Sequence, residues 1–137
     1  MSVKFKPVPK GQPGVAGGGA IKYYATIVRG TKIDFRDLLT EIEELNIVHP
    51  GVFLAVMEAF LRKINYHLIN GRAVDLGQLG TFYPSISSSP ADNEDEITSK
   101  SIRRFKVIFR PSMLLQARLE LVKFDKVSYG TRVEPAE

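Results

Sequence analysis

The sequence predicts an α+β protein in which two N-terminal helices pack on an antiparallel sheet, with a protruding β-arm, a short C-terminal helix and extra flanking strands. Three observations predict it. Apolar residues recur at helical spacing over 35–45 and again over 53–68. Apolar and polar residues alternate over 72–83 and 102–110, the period of a half-buried strand. Gly, Pro, Asn and Ser mark the boundaries between these stretches. The expected order is β-β-α-α-β-β-arm-β-α-β.

Each element has its own reason. Val3-Lys-Phe-Lys-Pro-Val alternates apolar and basic residues and reads as a short edge strand stopped by Pro7 and Pro9, which lack a ladder donor. Residues 10–20 are Gly-rich and read as a flexible linker. They lack the Gly-Lys-Ser/Thr ending of a phosphate-binding loop. Tyr23-Tyr-Ala-Thr-Ile-Val is β-branched and aromatic, hence a strand, and ends at Gly30. Asp34 can cap the helix that follows, with Asp37 in its first turn. Phe35, Leu38, Leu39, Ile42 and Leu45 form the apolar stripe, and Arg36, Glu41, Glu43 and Glu44 the wet side. A second helix begins at Pro50, which suits a first turn, and ends at Asn70-Gly71, with Gly71 in the left-handed position. Its face of Phe53, Val56, Met57, Phe60, Leu61, Ile64 and Leu68 is wide for so small a protein and calls for a sheet or a second subunit to cover it.

The remaining elements are mostly β. In 72–83, Val74 and Leu76 share a face, and Gly77 and Gly80 mark a bulge or turn between two strands. Residues 85–100 are polar and read as a long hairpin tip or arm. Ile102-Arg-Arg-Phe-Lys-Val-Ile-Phe-Arg is the clearest strand: Arg103, Phe105, Val107 and Phe109 share one face, Arg104, Lys106, Ile108 and Arg110 the other. Pro111-Ser112 opens a last helix with Met113, Leu114, Ala117 and Leu121. Val122-Lys-Phe-Asp-Lys-Val reads as a closing strand that can pair with an N-terminal one.

Composition narrows the function. At 137 residues, with 44% hydrophobic and 25% charged, the chain has the make-up of an ordinary globular domain with arms. No run approaches the roughly 18 apolar residues of a spanning helix. The start has charge without an apolar core behind it, so no signal peptide is expected. Cysteine is absent, which excludes disulfides, thiolate zinc sites and cysteine nucleophiles; a reducing cytosol fits. The net charge of +4 is unevenly spread. Residues 1–32 carry six bases and no acid; 33–99 carry four bases against eleven acids; 100–132 carry nine bases against Glu120 and Asp125. The basic ends either pair with the acidic middle and with solvent, or contribute to one basic surface for a polyanion.

From Asn70 to Phe82, the run Asn-Gly-Arg-Ala-Val-Asp-Leu-Gly-Gln-Leu-Gly-Thr-Phe resembles the HU/IHF histone-like DNA-binding proteins. The matching positions are Gly71, Val74, Leu76, Leu79, Gly80 and Phe82. Phe109-Arg-Pro-Ser-Met-Leu-Leu is similar to the family's Phe-x-Pro-Gly-x-x-Leu opening of its last helix. Phe82 and Phe109 are 27 positions apart, close to the family spacing across its β-arm. The resemblance covers 34–120. The ends resemble an extended HU-like branch with an N-terminal strand pair and a C-terminal Lys-Phe-x-Lys-Val segment. It implies a basic N-terminal extension over 1–32, an HU-like domain over 33–122, and a C-terminal strand and tail over 123–137.

The chain departs from that pattern at the arm. The family's Arg-Asn-Pro-x-Thr-Gly tip, whose proline wedges between base pairs, is missing. Pro90 is the one candidate wedge. Asp92, Glu94, Asp95 and Glu96 stand where phosphate contacts belong. The candidate nucleic-acid-binding residues are therefore Lys100, Arg103, Arg104, Lys106, Arg110 and Pro90. Lysines and arginines on a strand neutralise phosphates without reading bases. The alternative is that they pair with the arm's own carboxylates. Lys4, Lys6, Lys10 and Lys22 either extend the footprint or belong to a solvated tail. His49 and His67 form no metal-ligand pair, and the serines at 85, 87, 88 and 89 lack a nucleophile-elbow context.

The expectation is a non-enzymatic, HU-like homodimer that binds double-stranded DNA through its backbone. It would need no cofactor, metal, membrane or small-molecule substrate, and would act in the bacterial cytoplasm on the nucleoid. The rival reading is an HU-fold protein–protein assembly module that has lost DNA binding.

Overall fold

A computed structural model describes residues 1–127; of the C-terminal strand and tail expected over 123–137, residues 128–137 lie outside them. The elements are β1 (Ser2–Lys10), β2 (Lys22–Ile27), α1 (Phe35–Glu43), α2 (Pro50–Ile69), β3 (Val74–Asp75), β4 (Gly80–Ser88), β5 (Ile102–Pro111), α3 (Met113–Glu120) and β6 (Lys123–Lys126). They make a mixed α+β protein with two three-stranded sheets. The chain divides into two compact units: Met1–Lys32 with the described residues from Glu120 on, and Ile33–Leu119.

The first unit is the sheet β2-β1-β6. β1 pairs antiparallel with β2 from Phe5↔Ile27 to Lys10↔Lys22, and parallel with β6 from Ser2↔Lys123 to Phe5↔Lys126. This corrects the expectation of a short edge strand, because β1 is central and runs through both prolines. The ladder explains how. Val127 donates its N–H to the Phe5 carbonyl, so Phe5 turns its backbone polar groups toward β6. Pro7 and Pro9 have the same parity, and β6 pairs no further than Phe5. Their missing donors thus face an open edge, where no ladder bond is lost. The Gly-rich stretch is a hairpin loop between paired strands and not a free linker. Gln12 N–H donates to Gly18 O at 2.7 Å, and Gly18 N–H to Val15 O at 3.0 Å.

The second unit holds the helices and the sheet β3-β4-β5. Asp34 caps α1: its carboxylate accepts from Asp37 N–H at 2.9 Å, while the Asp37 carboxylate accepts from Asp34 N–H at 3.1 Å. This reciprocal box satisfies two of the donors a helix start leaves open. Pro50 opens α2, and His49 Nδ1 accepts from Gly51 N–H at 3.2 Å. Gly71 ends it at φ +76°, a left-handed conformation that costs glycine little. α2 lies against β3 and β4. Its Phe53, Met57, Ile64 and His67 are half-buried, and Leu68 is buried. Among the described residues Leu68 is the one buried apolar side chain. Val52, Leu54, Val56, Phe60, Leu61, Tyr66 and Ile69 of the same helix remain exposed. Among the described residues no helix is long and apolar enough to cross a membrane.

Candidate functional site

The β4–β5 hairpin carries most of the residues singled out by sequence. Its register pairs Thr81 with Arg110, Phe82 with Phe109, Tyr83 with Ile108, Pro84 with Val107, Ser85 with Lys106, Ile86 with Phe105 and Ser87 with Arg104. Directly opposed residues of an antiparallel pair project to the same side. The hairpin is therefore two-faced. One face is apolar: Phe82, Phe109, Pro84, Val107, Ile86 and Phe105. The other is basic and hydroxylic: Arg110, Lys106 and Arg104, each opposite Thr81, Ser85 or Ser87, with Tyr83 and Ile108 between them.

Two sequence features build this arrangement. The alternation over 102–110 sets β5, and Thr-Phe-Tyr-Pro-Ser-Ile-Ser over 81–87 alternates in phase with it. β4 accordingly continues through Ser85–Ser88, which the polar composition alone assigned to the arm's tip. The hydroxyl row was the signal missed. The parity of Ser85 and Ser87 sets them beside the bases, and polar composition by itself hides it.

Arg104, Lys106 and Arg110 are exposed. The Arg110 guanidinium lies over the Tyr83 ring, 5.3 Å from its centroid, so the ring holds the planar cation on this face. Among the described residues no carboxylate forms an ion pair with any of the three. Arg103 is elsewhere. It falls where the ladder shifts register between Ser87 and Ser88, and its Nε donates to Ser89 Oγ at 2.7 Å, closing the end of the hairpin. Lys100 sits in a short helical turn, Ser99–Ser101, at the tip. Pro90 lies beside Ala91, Asp92, Glu96 and Ser101 around a shallow polar recess. A second turn, Glu94–Glu96, presents the acidic run, with Asn93 Nδ2 donating to Glu96 Oε1 at 3.1 Å. The structure thus brings Arg104, Lys106 and Arg110 together, and leaves Arg103, Lys100 and Pro90 apart from them.

The base of the hairpin is tied down. Ser112 Oγ accepts from Leu115 N–H at 3.1 Å, capping α3, and donates to the Gln78 carbonyl in the turn before β4. Gly77 N–H donates to Asp75 Oδ1 at 2.8 Å within that turn. Rows of basic and hydroxyl groups on a backbone held this way offer several donors to a chain of anionic oxygens at once. His67 stands against Tyr66 and Arg72. Among the described residues no cluster of three His, Asp or Glu side chains is set to hold a metal.

Comparison with known proteins gives three findings. The model of the family HU-HIG, described as an HU domain fused to a wHTH, Ig or glycine-rich motif, matches residues 1–126. A crystal structure from Bacteroides vulgatus ATCC 8482, described provisionally as a bacterial DNA binding protein, superposes with a TM-score of 0.66 at 12% identity over 92% of this chain. The superposed part is 48% of that protein, so this chain spans about half its length. No curated protein matches the sequence.

Proposed function

The chain belongs to the HU-HIG family, and from that premise we propose that it is a non-enzymatic DNA-binding protein that holds the phosphate backbone with little sequence preference. The neighbour of the same fold, described provisionally as DNA-binding, supports this reading. The observation that carries it is the basic face of the β4–β5 hairpin: Arg104, Lys106 and Arg110 exposed on one side, each opposite a hydroxyl. Cations on a strand neutralise phosphates, hydroxyls donate to the same oxygens, and neither reads a base.

The hairpin is the arm of this reading, and α2 packs on its sheet. The protein acts as a homodimer, because α2 leaves Phe60, Leu61 and their neighbours open and a second copy closes them. Two arms then give six hairpin cations along one duplex. A nucleoid-architectural role in the cytoplasm follows from backbone binding of this kind. Kinking by an inserted proline does not, since Pro90 sits among carboxylates that repel the duplex.

The test is the double substitution Arg104→Glu and Lys106→Glu, read by fluorescence anisotropy of a labelled duplex. The expected result is loss of most of the affinity, with the salt slope flattened by about 0.9 for each phosphate contact removed. Unchanged affinity would remove the hairpin face from the account. A second reading, an assembly module of the same fold, is favoured by the acidic tip, Asp92, Glu94, Asp95 and Glu96. It predicts no duplex binding even at low salt.

A further inference from the structure

The sheet β2-β1-β6 is two-faced in the same way as the hairpin. Val3, Phe5, Ala25, Ile27 and Phe124 line an apolar cleft on one side. The register puts the opposite parity on the other side: Lys4, Lys6 and Lys10 of β1, Lys22 of β2, and Lys123 and Asp125 of β6. Among the described residues, five lysines thus share one small face with a single carboxylate, Asp125, which pairs with Lys4 in the ladder. Lys4, Lys10, Lys22 and Lys123 are exposed, and Lys6 is half-buried. Lys10 and Lys22 stand directly opposite each other in the ladder. Like charges so placed destabilise a strand pair. An anion lying between them removes that cost.

We infer that this lysine face is a second phosphate-backbone surface, on a unit separate from the hairpin, and that its occupant is the same duplex. The inference rests on the DNA-binding reading only for the identity of the polyanion. Charge complementarity selects a repeating anion: the lysines lie on all three strands of the sheet, so one isolated phosphate cannot meet them all. The chemistry is that of point charges, since lysine, unlike arginine, offers no planar fork for a base edge.

The experiment is lysine footprinting of the full chain by acetylation and mass spectrometry, with and without the duplex. Lys4, Lys10, Lys22 and Lys123 are expected to be protected. Lys126, which pairs with Phe5 and so projects to the apolar side of the same sheet, is expected to react as before. In parallel, the variant with Lys4, Lys10, Lys22 and Lys123 all changed to Gln should flatten the salt slope of the dimer by about 7, or about 0.9 for each of the eight cations lost. Footprinting uses the unaltered chain, so it decides even if the variant fails to fold. Steep duplex binding with the four lysines unprotected would overturn this inference and leave the hairpin reading standing. Protection of the four lysines with no effect of the Arg104→Glu and Lys106→Glu changes would do the reverse. Protection by phosphatidylserine vesicles and not by the duplex would assign the face to lipid headgroups and overturn the inference. No binding to the duplex at all would overturn both.

Discussion

Phe82 and Phe109 face each other across the β4–β5 hairpin with ring centroids 4.9 Å apart and planes inclined by 41°. That pair anchors the apolar face, and the alternation of the strands then commits Arg104, Lys106 and Arg110 to the other side. A slip of one residue would exchange the two faces. The aromatic pair therefore fixes the placement of cations it never touches.

Gly80 stands beside this pair, and its size is what lets the strands close there. It is buried, at φ +149°. A Cβ added to it would meet two Phe109 ring carbons at 2.8 and 2.9 Å and the Arg110 carbonyl oxygen closer still. Gly80→Ala is expected to lower stability by about 1–3 kcal/mol, as overpacking does. Urea denaturation followed by circular dichroism reads this directly. A midpoint equal to that of the unaltered chain would mean that the hairpin base tolerates more room than its geometry allows.

The acidic tip opposes duplex binding. Changing Asp92, Glu94, Asp95 and Glu96 to Asn or Gln removes four repelling charges. Duplex affinity should rise, and the gain should shrink as salt screens the remaining field. Lower affinity after neutralisation would show that the tip carboxylates take part in binding.

Association can be read from mass. The unaltered chain should sediment at twice 15.3 kDa. Phe60 is 46% exposed on α2, and Phe60→Asp places a charge on the face a second copy is proposed to cover. That variant should sediment as a single chain. A monomer before any substitution would contradict the dimer.

Local signals in the sequence carried much of this architecture. Asp34 with Asp37, Pro50 and Gly71 each act through the few residues around them, so the helix boundaries were legible. So was β5, where strict alternation leaves one strand phase. What the sequence hid was set by partners distant in the chain. Pro7 and Pro9 argue against a central strand until the short reach of β6 is known. The serines at 85, 87 and 88 look like loop until β5 pairs with them. Arg103 looks equivalent to Arg104, yet the register shift beside it and the Ser89 hydroxyl set it apart from the paired basic row. Lys123 joins the face of Lys4 only through the parallel pairing of β6 with β1, which sets it opposite Ser2.

The most direct measurement is the affinity of the full chain for a labelled duplex at about 50 and about 200 mM salt. Arg104, Lys106 and Arg110 in two copies neutralise six phosphates, and these alone should make affinity fall by at least about 10³ between those salts. A flat response, or no binding at the lower salt, would contradict backbone binding by the hairpin face.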